Sequence, residues 1–83
     1  MKITIYTTPI CAYCKRAKEF FIENRVRYEE VDVSENEKAR TKMIEKSGQF
    51  GTPVIIVSDA EREDVVIGFN RPLLEKLLKI SKR

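Results

Sequence analysis

The sequence has no histidine among its 83 residues and only two cysteines. Without histidine, the chain cannot form a Ser-His or Cys-His nucleophile pair and cannot offer an imidazole metal ligand. Two cysteines also fall short of the four nitrogen or sulfur ligands that a structural zinc site usually needs. These absences predict that any chemistry of this chain depends on its two sulfur atoms, and that it holds no metal of its own.

The sequence also lacks a large excess of charge of one sign. Lys and Arg total 16 against 13 Asp and Glu, and the two signs are interspersed along the chain. A nucleic-acid interface would need a continuous basic face with aromatic platforms, so no nucleic-acid partner is expected. Hydrophobic residues make up 42% and charged residues 35%, which is typical of an ordered globular protein. We expect one domain over residues 1–83.

Long apolar runs are missing as well. The longest unbroken aliphatic run covers residues 54–57, whereas a membrane-spanning helix needs about 20 apolar residues. The first six residues alternate between apolar and polar side chains and lack the apolar stretch of a signal peptide. We therefore expect a cytoplasmic protein with no membrane partner, in a compartment where structural disulfides are uncommon.

Hydrophobic periodicity and turn residues predict seven elements. They are strands at 2–7, 26–33, 54–57 and 65–67, and helices at about 12–24, at about 35–47 and from near Pro72 onward. Ser34 and Glu37 fit a capping box at the start of the second helix, and Gly48 fits its left-handed end. The third helix has an apolar stripe made of Leu73, Leu74, Leu77, Leu78 and Ile80.

The predicted order is therefore β-α-β-α-β-β-α, in a single sheet of four strands. The first two strands are joined by a helix and should be parallel with a right-handed crossover. The last two strands are joined by a short polar loop and should form an antiparallel hairpin. The sequence thus predicts an α/β fold with one mixed sheet and three helices.

Cys11 and Cys14 form a CxxC motif at the junction of the first strand and the first helix. A CxxC near a βαβ pattern is typical of a thioredoxin-like redox motif. Lys15, not a histidine, follows the motif, which excludes c-type haem attachment. As a structural crosslink the pair would be poorly placed, because closing so short a loop contributes on the order of 2 kcal/mol, against about 4.7 kcal/mol for a hundred-residue loop. A reversible redox pair is favoured over a crosslink or two incidental thiols.

The position of the motif predicts different roles for its two sulfurs. Cys11 lies at the first helical turn, where free amides and the positive end of the helix dipole favour an anion, and Lys15 and Arg16 add positive charge. Cys14 lies one turn further along and shares a face with Ala17, which directs it toward the core. We expect Cys11 to be an exposed thiolate nucleophile and Cys14 a buried resolving thiol.

The pair Thr52-Pro53 precedes the most apolar strand. A proline cannot donate to a strand ladder, so Pro53 is confined to the first position of that strand. Two interpretations remain open from the sequence. Pro53 either marks a simple strand boundary, or it follows a cis bond that directs the backbone of Thr52 toward an incoming extended peptide. Only about 5–6% of X-Pro bonds in folded proteins are cis.

The whole chain resembles the glutaredoxin family in element order, in the placement of its CxxC motif and in the position of Pro53. Residues 11–18 (CAYCKRAK) are similar to the active-site segment of that family, in which a Tyr precedes the second Cys and a basic residue follows it. The resemblance implies a thioredoxin-like fold and a thiol-disulfide oxidoreductase. It also implies that Cys11 attacks, Cys14 resolves, Tyr13 forms a wall of the substrate groove, and Thr52 and Pro53 form a docking edge with a cis bond.

Residues 68–70 depart from the glutathione-using members of the family. Those members usually have two adjacent glycines and then acidic residues, whereas here Gly68 is followed by Phe69 and Asn70. This string is more similar to the small redoxins that donate electrons to ribonucleotide reductase and are recharged by thioredoxin reductase. Gly68, Phe69 and Asn70 are expected to contribute to the substrate groove, although Phe69 could equally be a core aromatic.

The resemblance implies no tightly bound cofactor. The reductant is either glutathione or a flavoenzyme of the thioredoxin-reductase type, and the sequence leaves this choice open. Expected partners are disulfide-containing proteins, with ribonucleotide reductase as one candidate, and the protein is expected to be a monomer.

Two other classes of function compete with this interpretation. Some glutaredoxins with a small residue at the position of Ala12 share an iron–sulfur cluster between two chains, and two cysteines per chain allow this. Visible charge-transfer bands in the purified protein would favour such a cluster module. A scaffolding domain is the third class, and it predicts that Cys11→Ser leaves the function intact.

Overall fold

The structure is a computed structural model in which residues 1–79 are described, and it has the predicted order of elements. These elements are β1 (Lys2–Thr7), α1 (Ala12–Glu23), β2 (Glu29–Asp32), α2 (Glu37–Ser47), β3 (Val54–Ser58), β4 (Glu63–Ile67) and α3 (Arg71–Leu78). The longest of the three helices, α1, has 12 residues. Within residues 1–79, no helix has both the length and the apolar character that crossing a membrane requires.

The four strands form one mixed sheet in the order β2-β1-β3-β4. β1 is parallel to β2 and antiparallel to β3, and β3 is antiparallel to β4. Tyr6 of β1 lies beside both Val31 of β2 and Val54 of β3, and Val54 pairs in turn with Ile67 of β4. The ends of β1, β2 and β4 and the beginning of β3 therefore meet at one edge of the sheet. The predicted mixed sheet with three helices is confirmed.

Each face of the sheet is covered by helices. Successive side chains of a strand point to opposite faces, and Ile55 and Val57 of β3 pack in the cluster that holds α1 and α3, whereas Val54 and Ile56 pack in the cluster that holds α2. The first cluster contains Ile3, Ile5, Ala17, Phe20, Phe21, Ile55, Val57, Val66 and Leu74, and the second contains Tyr6, Val33, Met43, Val54 and Ile56. The aliphatic run of β3 is thus buried on both sides, as its sequence predicts.

The second strand is shorter than the predicted 26–33. The chain leaves α1 through Arg25, which has a φ of +57°, and the Val26 amide donates to the Phe21 carbonyl at 2.8 Å. These residues close the end of α1, so pairing with β1 begins only at Glu29. Val26 has a high β propensity, which favours a strand at this position. Its amide is instead bonded to the carbonyl of Phe21 in α1.

The fourth strand begins earlier than the predicted 65–67. Glu63 and Asp64 pair with Ser58 and Val57 and extend the hairpin by two residues. β4 lies at the edge of the sheet, where charged side chains can reach solvent without leaving the ladder. The polar sequence of this segment was therefore wrongly assigned to the loop.

The predicted capping box at Ser34 is wrong. α2 begins at Glu37, and its N-cap is Asn36, whose Oδ1 accepts the Ala39 amide at 3.0 Å. The Ser34 amide and hydroxyl instead both donate to Asp32 Oδ1, at 2.8 and 2.6 Å, in the turn after β2. At the other end of α2, Gly48 has a φ of +70° and its amide donates to Ile44, so the predicted left-handed end is confirmed.

The third helix begins at Arg71, with Asn70 as its N-cap and Pro72 in its first turn. Of its predicted apolar stripe, Leu74 is fully buried in the cluster with α1, and Leu73, Leu77 and Leu78 pack against that cluster. Ile80, the last member of the stripe, lies outside the described residues.

Candidate active site

Cys11 and Cys14 are joined as a disulfide at the start of α1, with their Cα atoms 5.2 Å apart. Cys11 precedes the helix and is partly exposed, whereas Cys14 is in the first turn with only 1% of its surface exposed. Cys14 lies on the same buried face as Ala17. The two sulfurs therefore differ in access, in the direction that the sequence predicts.

Cys11 is the N-cap of α1. Its backbone is extended, with φ −91° and ψ 109°, and its Sγ accepts the Cys14 amide at 3.1 Å. This position is usually held by Ser, Thr, Asp or Asn, whose side-chain oxygen accepts a free amide of the first turn. Here a sulfur takes that place, at the positive end of the helix dipole. An N–H donor and a dipole in this arrangement stabilise a thiolate on Cys11.

Positive charge near the motif is not neutralised by acidic neighbours. The first turn of α1 contains no acidic residue. Lys15 and Arg16 are exposed, and neither forms an ion pair with any other residue in 1–79. The Arg16 guanidinium lies over the ring of Tyr13, with its central carbon 5.6 Å from the ring centroid. Both cations are thus available to a bound partner, and Arg16 lies against Tyr13 of the motif.

A groove of about 560 Å³ brings together all six residues predicted to bind substrate. These are Tyr13, Thr52, Pro53, Gly68, Phe69 and Asn70, and the groove is also lined by Ile67, Arg71 and Pro72. The last three were not predicted from the sequence, although they directly flank residues 68–70 in the chain. Their adjacency to that string was the signal that could have identified them.

The backbone joins the two walls of this groove. The Thr52–Pro53 bond is cis, one of the two states that the sequence left open. The Gly68 amide donates to the Pro53 carbonyl at 2.9 Å, and Gly68 has a φ of +74°, which favours glycine. The hydroxyls of Thr8 and Thr52 lie 3.5 Å apart. The segment before Cys11 and the segment after β4 are thus both in contact with the segment around Pro53.

Phe69 lies both against the core and in the lining of the groove, the two positions that the sequence left open. Its side chain is partly buried against the cluster that holds α1 and α3, and its ring centroid is 5.8 Å from that of Phe20. It also lines the groove. The guanidinium of Arg71 lies over the ring of Phe20, with its central carbon 5.4 Å from the ring centroid.

The start of α3, next to Phe69, offers few free donors. Asn70 Oδ1 accepts the Leu73 amide at 3.2 Å, and Pro72 has no N–H. The Arg71 side chain, which lines the groove, donates from Nε to Glu75 Oε2 at 3.2 Å. Among the first three residues of α3, the Leu73 amide is therefore already bonded and Pro72 has no amide hydrogen. Nε of the first residue, Arg71, is also bonded.

The chain matches the glutaredoxin family model over residues 3–61. It belongs to the glutaredoxin family. This confirms the resemblance inferred from the sequence, and it fits a Cys11–Cys14 pair suited to thiol-disulfide redox chemistry.

Relatives of this glutaredoxin-family protein match it over nearly its whole length. It is 34% identical to an uncharacterized glutaredoxin-like 8.6 kDa protein in the rubredoxin operon of Clostridium pasteurianum, over 93% of this chain and 97% of that protein. The crystal structure of the thioredoxin-like protein BC3987 is similar with a TM-score of 0.79 and 38% identity, over 92% of this chain and 99% of that one. The glutaredoxin-like NrdH-redoxin of Escherichia coli, described as having a thioredoxin-like activity profile, has a TM-score of 0.73 and 25% identity over 100% and 99% of the two chains.

A polar contact that the sequence analysis missed anchors the glutaredoxin fold behind the motif. Glu30 of β2 accepts hydrogen bonds at Oε2 from the buried hydroxyl of Thr7, at 2.8 Å, and from Lys18 Nζ of α1, at 2.9 Å. The bond from Lys18, and next the bond from Thr7, hold the pKa of Glu30 below its ordinary value of 4.5. This carboxylate joins β2 to the end of β1 and to α1, the helix that begins at the CxxC motif. Within residues 1–79, no group of three or more metal-ligating side chains accompanies the motif.

We expect Glu30 to make the stability of the fold pH-dependent. Because its folded pKa is lowered, its stabilising contribution is fully present above about pH 5 and is lost as the pH falls through the folded pKa. The contribution should be below about 1 kcal/mol, since the side chain is partly exposed and screened. In urea unfolding from pH 7 to pH 3, Glu30→Gln should therefore lose less stability than the wild type. Glu29→Gln, on the same strand, is the matched control and should keep the wild-type profile; an identical profile for Glu30→Gln would contradict this assignment.

Proposed function

We propose that this protein is a dithiol electron carrier that reduces disulfides of other proteins through Cys11 and Cys14. The observation that carries the proposal is the Cys11 sulfur in the N-cap position of α1, where it accepts the Cys14 amide at 3.1 Å. Family membership supports thiol-disulfide redox chemistry in general. The N-cap position supports Cys11 as the residue that begins the exchange.

The reaction consists of two exchanges. The Cys11 thiolate attacks one sulfur of the target disulfide, so that a Cys11–target disulfide forms and the other target sulfur leaves as a thiolate. The Cys14 thiol, after losing its proton, then attacks Cys11 Sγ; the Cys11–Cys14 disulfide forms and the second target sulfur leaves as a thiolate. Both target thiolates take up protons from water. Two electrons pass from the carrier to the target, and the described disulfide corresponds to the oxidised carrier.

Access supports this order of events. Cys14 is almost completely buried and Cys11 is partly exposed, so an incoming sulfur can approach Cys11 but not Cys14. Cys14 is nevertheless adjacent to Cys11, with 5.2 Å between their Cα atoms. It can therefore attack a mixed disulfide on Cys11 without a large movement of the backbone.

The reductant of the oxidised carrier is proposed to be a flavoenzyme of the thioredoxin-reductase type. The engaged donors at the start of α3 and the packing of Phe69 in the groove argue against a site for the carboxylates of glutathione. The thioredoxin-like activity profile of the similar NrdH-redoxin agrees with this choice. The resemblance to redoxins that serve ribonucleotide reductase makes that enzyme one candidate target.

A coupled assay tests the proposed function. The oxidised protein is incubated with NADPH and thioredoxin reductase, or with NADPH, glutathione and glutathione reductase, and NADPH consumption is followed in the presence of a protein disulfide. We expect rapid turnover in the first system and at least about tenfold slower turnover in the second. Faster turnover with glutathione would overturn the choice of reductant, and no turnover with either would overturn the function itself.

A further inference from the structure

The segments around the disulfide contain no charged residue, although 35% of the chain is charged. They are residues 8–14, 48–53 and 65–70, which we call the rim. Burial explains the lack of charge in β3 and in β1 after Lys2, but much of the rim is exposed, including residues 9–10, 12–13 and 48–51. An exposed surface without charge, in a chain so rich in charge, indicates a surface that is covered during function.

The rim is also where large apolar side chains are exposed. Within residues 1–79, six such side chains are more than half exposed, and four of them belong to the rim. Their exposed fractions are 95% for Ile10, 81% for Phe50, 59% for Tyr13 and 51% for Ile67. Leaving these four in water is unfavourable, and each would contribute to binding when a partner covers it.

The fold holds the rim segments together at the motif. Ile10 directly precedes Cys11, and the neighbouring Thr8 has its hydroxyl 3.5 Å from that of Thr52, in the segment that carries Phe50. The third segment is joined to the second by the bond from the Gly68 amide to the Pro53 carbonyl. Ile10 is thus the residue next to the cysteine that reacts, and Phe50 belongs to the loop that contacts the segment of Ile10.

The rim does not match a small anionic disulfide such as glutathione disulfide. Each half of that molecule carries two carboxylates, whereas the rim itself contains no cation, and Lys15 and Arg16 lie beyond it on α1. At the nearest helix start, the Leu73 amide is taken by Asn70 and the Arg71 guanidinium is bound to Glu75. A carboxylate placed there would find fewer donors than a helix start with all its amides available, so its lost hydration would be replaced only in part.

Positive charge without an ion-pair partner in the described part of the chain borders the rim on α1. Lys15 and Arg16 follow the motif directly, and neither has an acidic partner in residues 1–79. Lys18, by contrast, is bound to Glu30 at 2.9 Å. A ligand long enough to cover the rim and continue over α1 would meet an apolar surface first and a basic one after it.

We propose that the rim docks a disulfide-bearing segment of a protein partner in which apolar side chains lie beside the disulfide and acidic side chains lie beyond it. Ile10 and Phe50 contact the apolar side chains, and Lys15 and Arg16 contact the acidic ones. This rests on the proposed function and names the substrate class of the same site. Ile10 and Phe50 are specificity-determining residues, whereas the exchange itself remains the task of the two cysteines.

Three synthetic peptides with the same disulfide test the proposal. One has leucine and phenylalanine beside the disulfide and aspartate and glutamate beyond it; the second replaces the apolar residues with serine, and the third replaces the acidic residues with lysine. The pre-reduced protein is mixed with each peptide, or with glutathione disulfide, and second-order rates are measured by quenched flow. The first peptide should react about tenfold faster than the second. Its advantage over the third should shrink as ionic strength rises.

Substitutions assign the preference to the rim. Phe50→Gln and Ile10→Gln should each lower the rate ratio of the first peptide to the second by about threefold or more. Ile22→Gln is the matched control, because Ile22 is 65% exposed on α1 but lies outside the rim, and it should leave the ratio unchanged. The double variant Lys15→Gln/Arg16→Gln should remove the preference over the third peptide, while Lys38→Gln/Lys42→Gln on the exposed face of α2 should not.

The outcomes separate this proposal from the proposed function. Equal rates for the three peptides, or a faster reaction with glutathione disulfide, would overturn the docking proposal but leave thiol-disulfide exchange intact. No reaction with any disulfide would overturn the proposed function. A concentration-dependent dimer in sedimentation that Phe50→Gln dissociates would show that a second copy of the chain covers the rim, and this would overturn the docking proposal as well.

Discussion

Cys14→Ser is expected to convert the protein from an electron carrier into a covalent trap for its targets, whereas Cys11→Ser is expected to lose essentially all exchange activity. A serine hydroxyl is not a nucleophile toward disulfides at neutral pH, so the loss for Cys11→Ser should be at least about a hundredfold. With Cys14→Ser the first exchange still occurs at Cys11, but no adjacent thiol remains to release the target. A Cys11–target disulfide therefore accumulates.

The geometry of the motif is the reason for this asymmetry. The Cys11 sulfur accepts the Cys14 amide, and that bond comes from the backbone, so Cys14→Ser leaves its donor in place. The Cys14 side chain is 1% exposed and has no route to an incoming disulfide. The remaining cysteine of Cys11→Ser is thus the one that a protein target cannot reach.

Mass spectrometry of unreduced reaction mixtures measures both outcomes. Each variant is pre-reduced, freed of reductant and incubated with a protein disulfide, and the adduct mass and the rate of substrate reduction are recorded together. An adduct on Cys11→Ser but not on Cys14→Ser would reverse the two roles. Full turnover by Cys14→Ser in the absence of added thiol would show that the second exchange does not need Cys14.

Phe21→Ala is expected to have the largest effect on stability. Phe21 of α1 is fully buried, with its ring centroid 5.3 Å from that of Tyr28 and 5.9 Å from that of Phe20. Removing such a side chain costs about 3–5 kcal/mol, because the lost burial and the cavity left behind both destabilise the fold. In a domain of this size, the midpoint of thermal unfolding should fall by more than about 10 °C.

Ile22→Ala is the matched control for this prediction. Ile22 is adjacent in the same helix and loses a similar side chain, but it is 65% exposed, so its free energy of unfolding should change by no more than about 0.5 kcal/mol. Urea and thermal unfolding followed by circular dichroism compare the two variants. Similar losses for both would indicate that the helix itself, and not its packing against the sheet, limits stability.

The fold and the reactive pair could be predicted from the sequence because both depend on short-range patterns. The alternation of Ile3 and Ile5 and the apolar run of β3 indicate strands on their own. The position of Cys11 between a strand and a helix follows from the sequence of its immediate neighbours. The buried face of α1 follows from the spacing of Cys14 and Ala17, and the structure places both in the interior.

The features that were missed depend on competition between neighbours or on contacts between distant segments. Ser34 and Asn36 both have side chains that can cap a helix, but in the structure Asn36 caps α2 and Ser34 instead belongs to a turn in which its amide and hydroxyl donate to Asp32. Glu30 reaches Thr7, 23 residues away, only because β1 and β2 are parallel neighbours. The spacing of residues along the sequence shows neither which of two neighbouring side chains will cap a helix nor which distant segments will be in contact.

The bond from the Cys14 amide to the Cys11 sulfur means that one atom both caps the beginning of a helix and carries out a reaction. A thiolate is a much better acceptor than a disulfide sulfur, since hydrogen bonds to charged acceptors are roughly twice as strong as neutral ones. The first turn of α1 is therefore most stable when the two cysteines are reduced. Amide hydrogen exchange at Cys14 should slow on reduction, so the stability of this helical turn reports whether the carrier is reduced or oxidised.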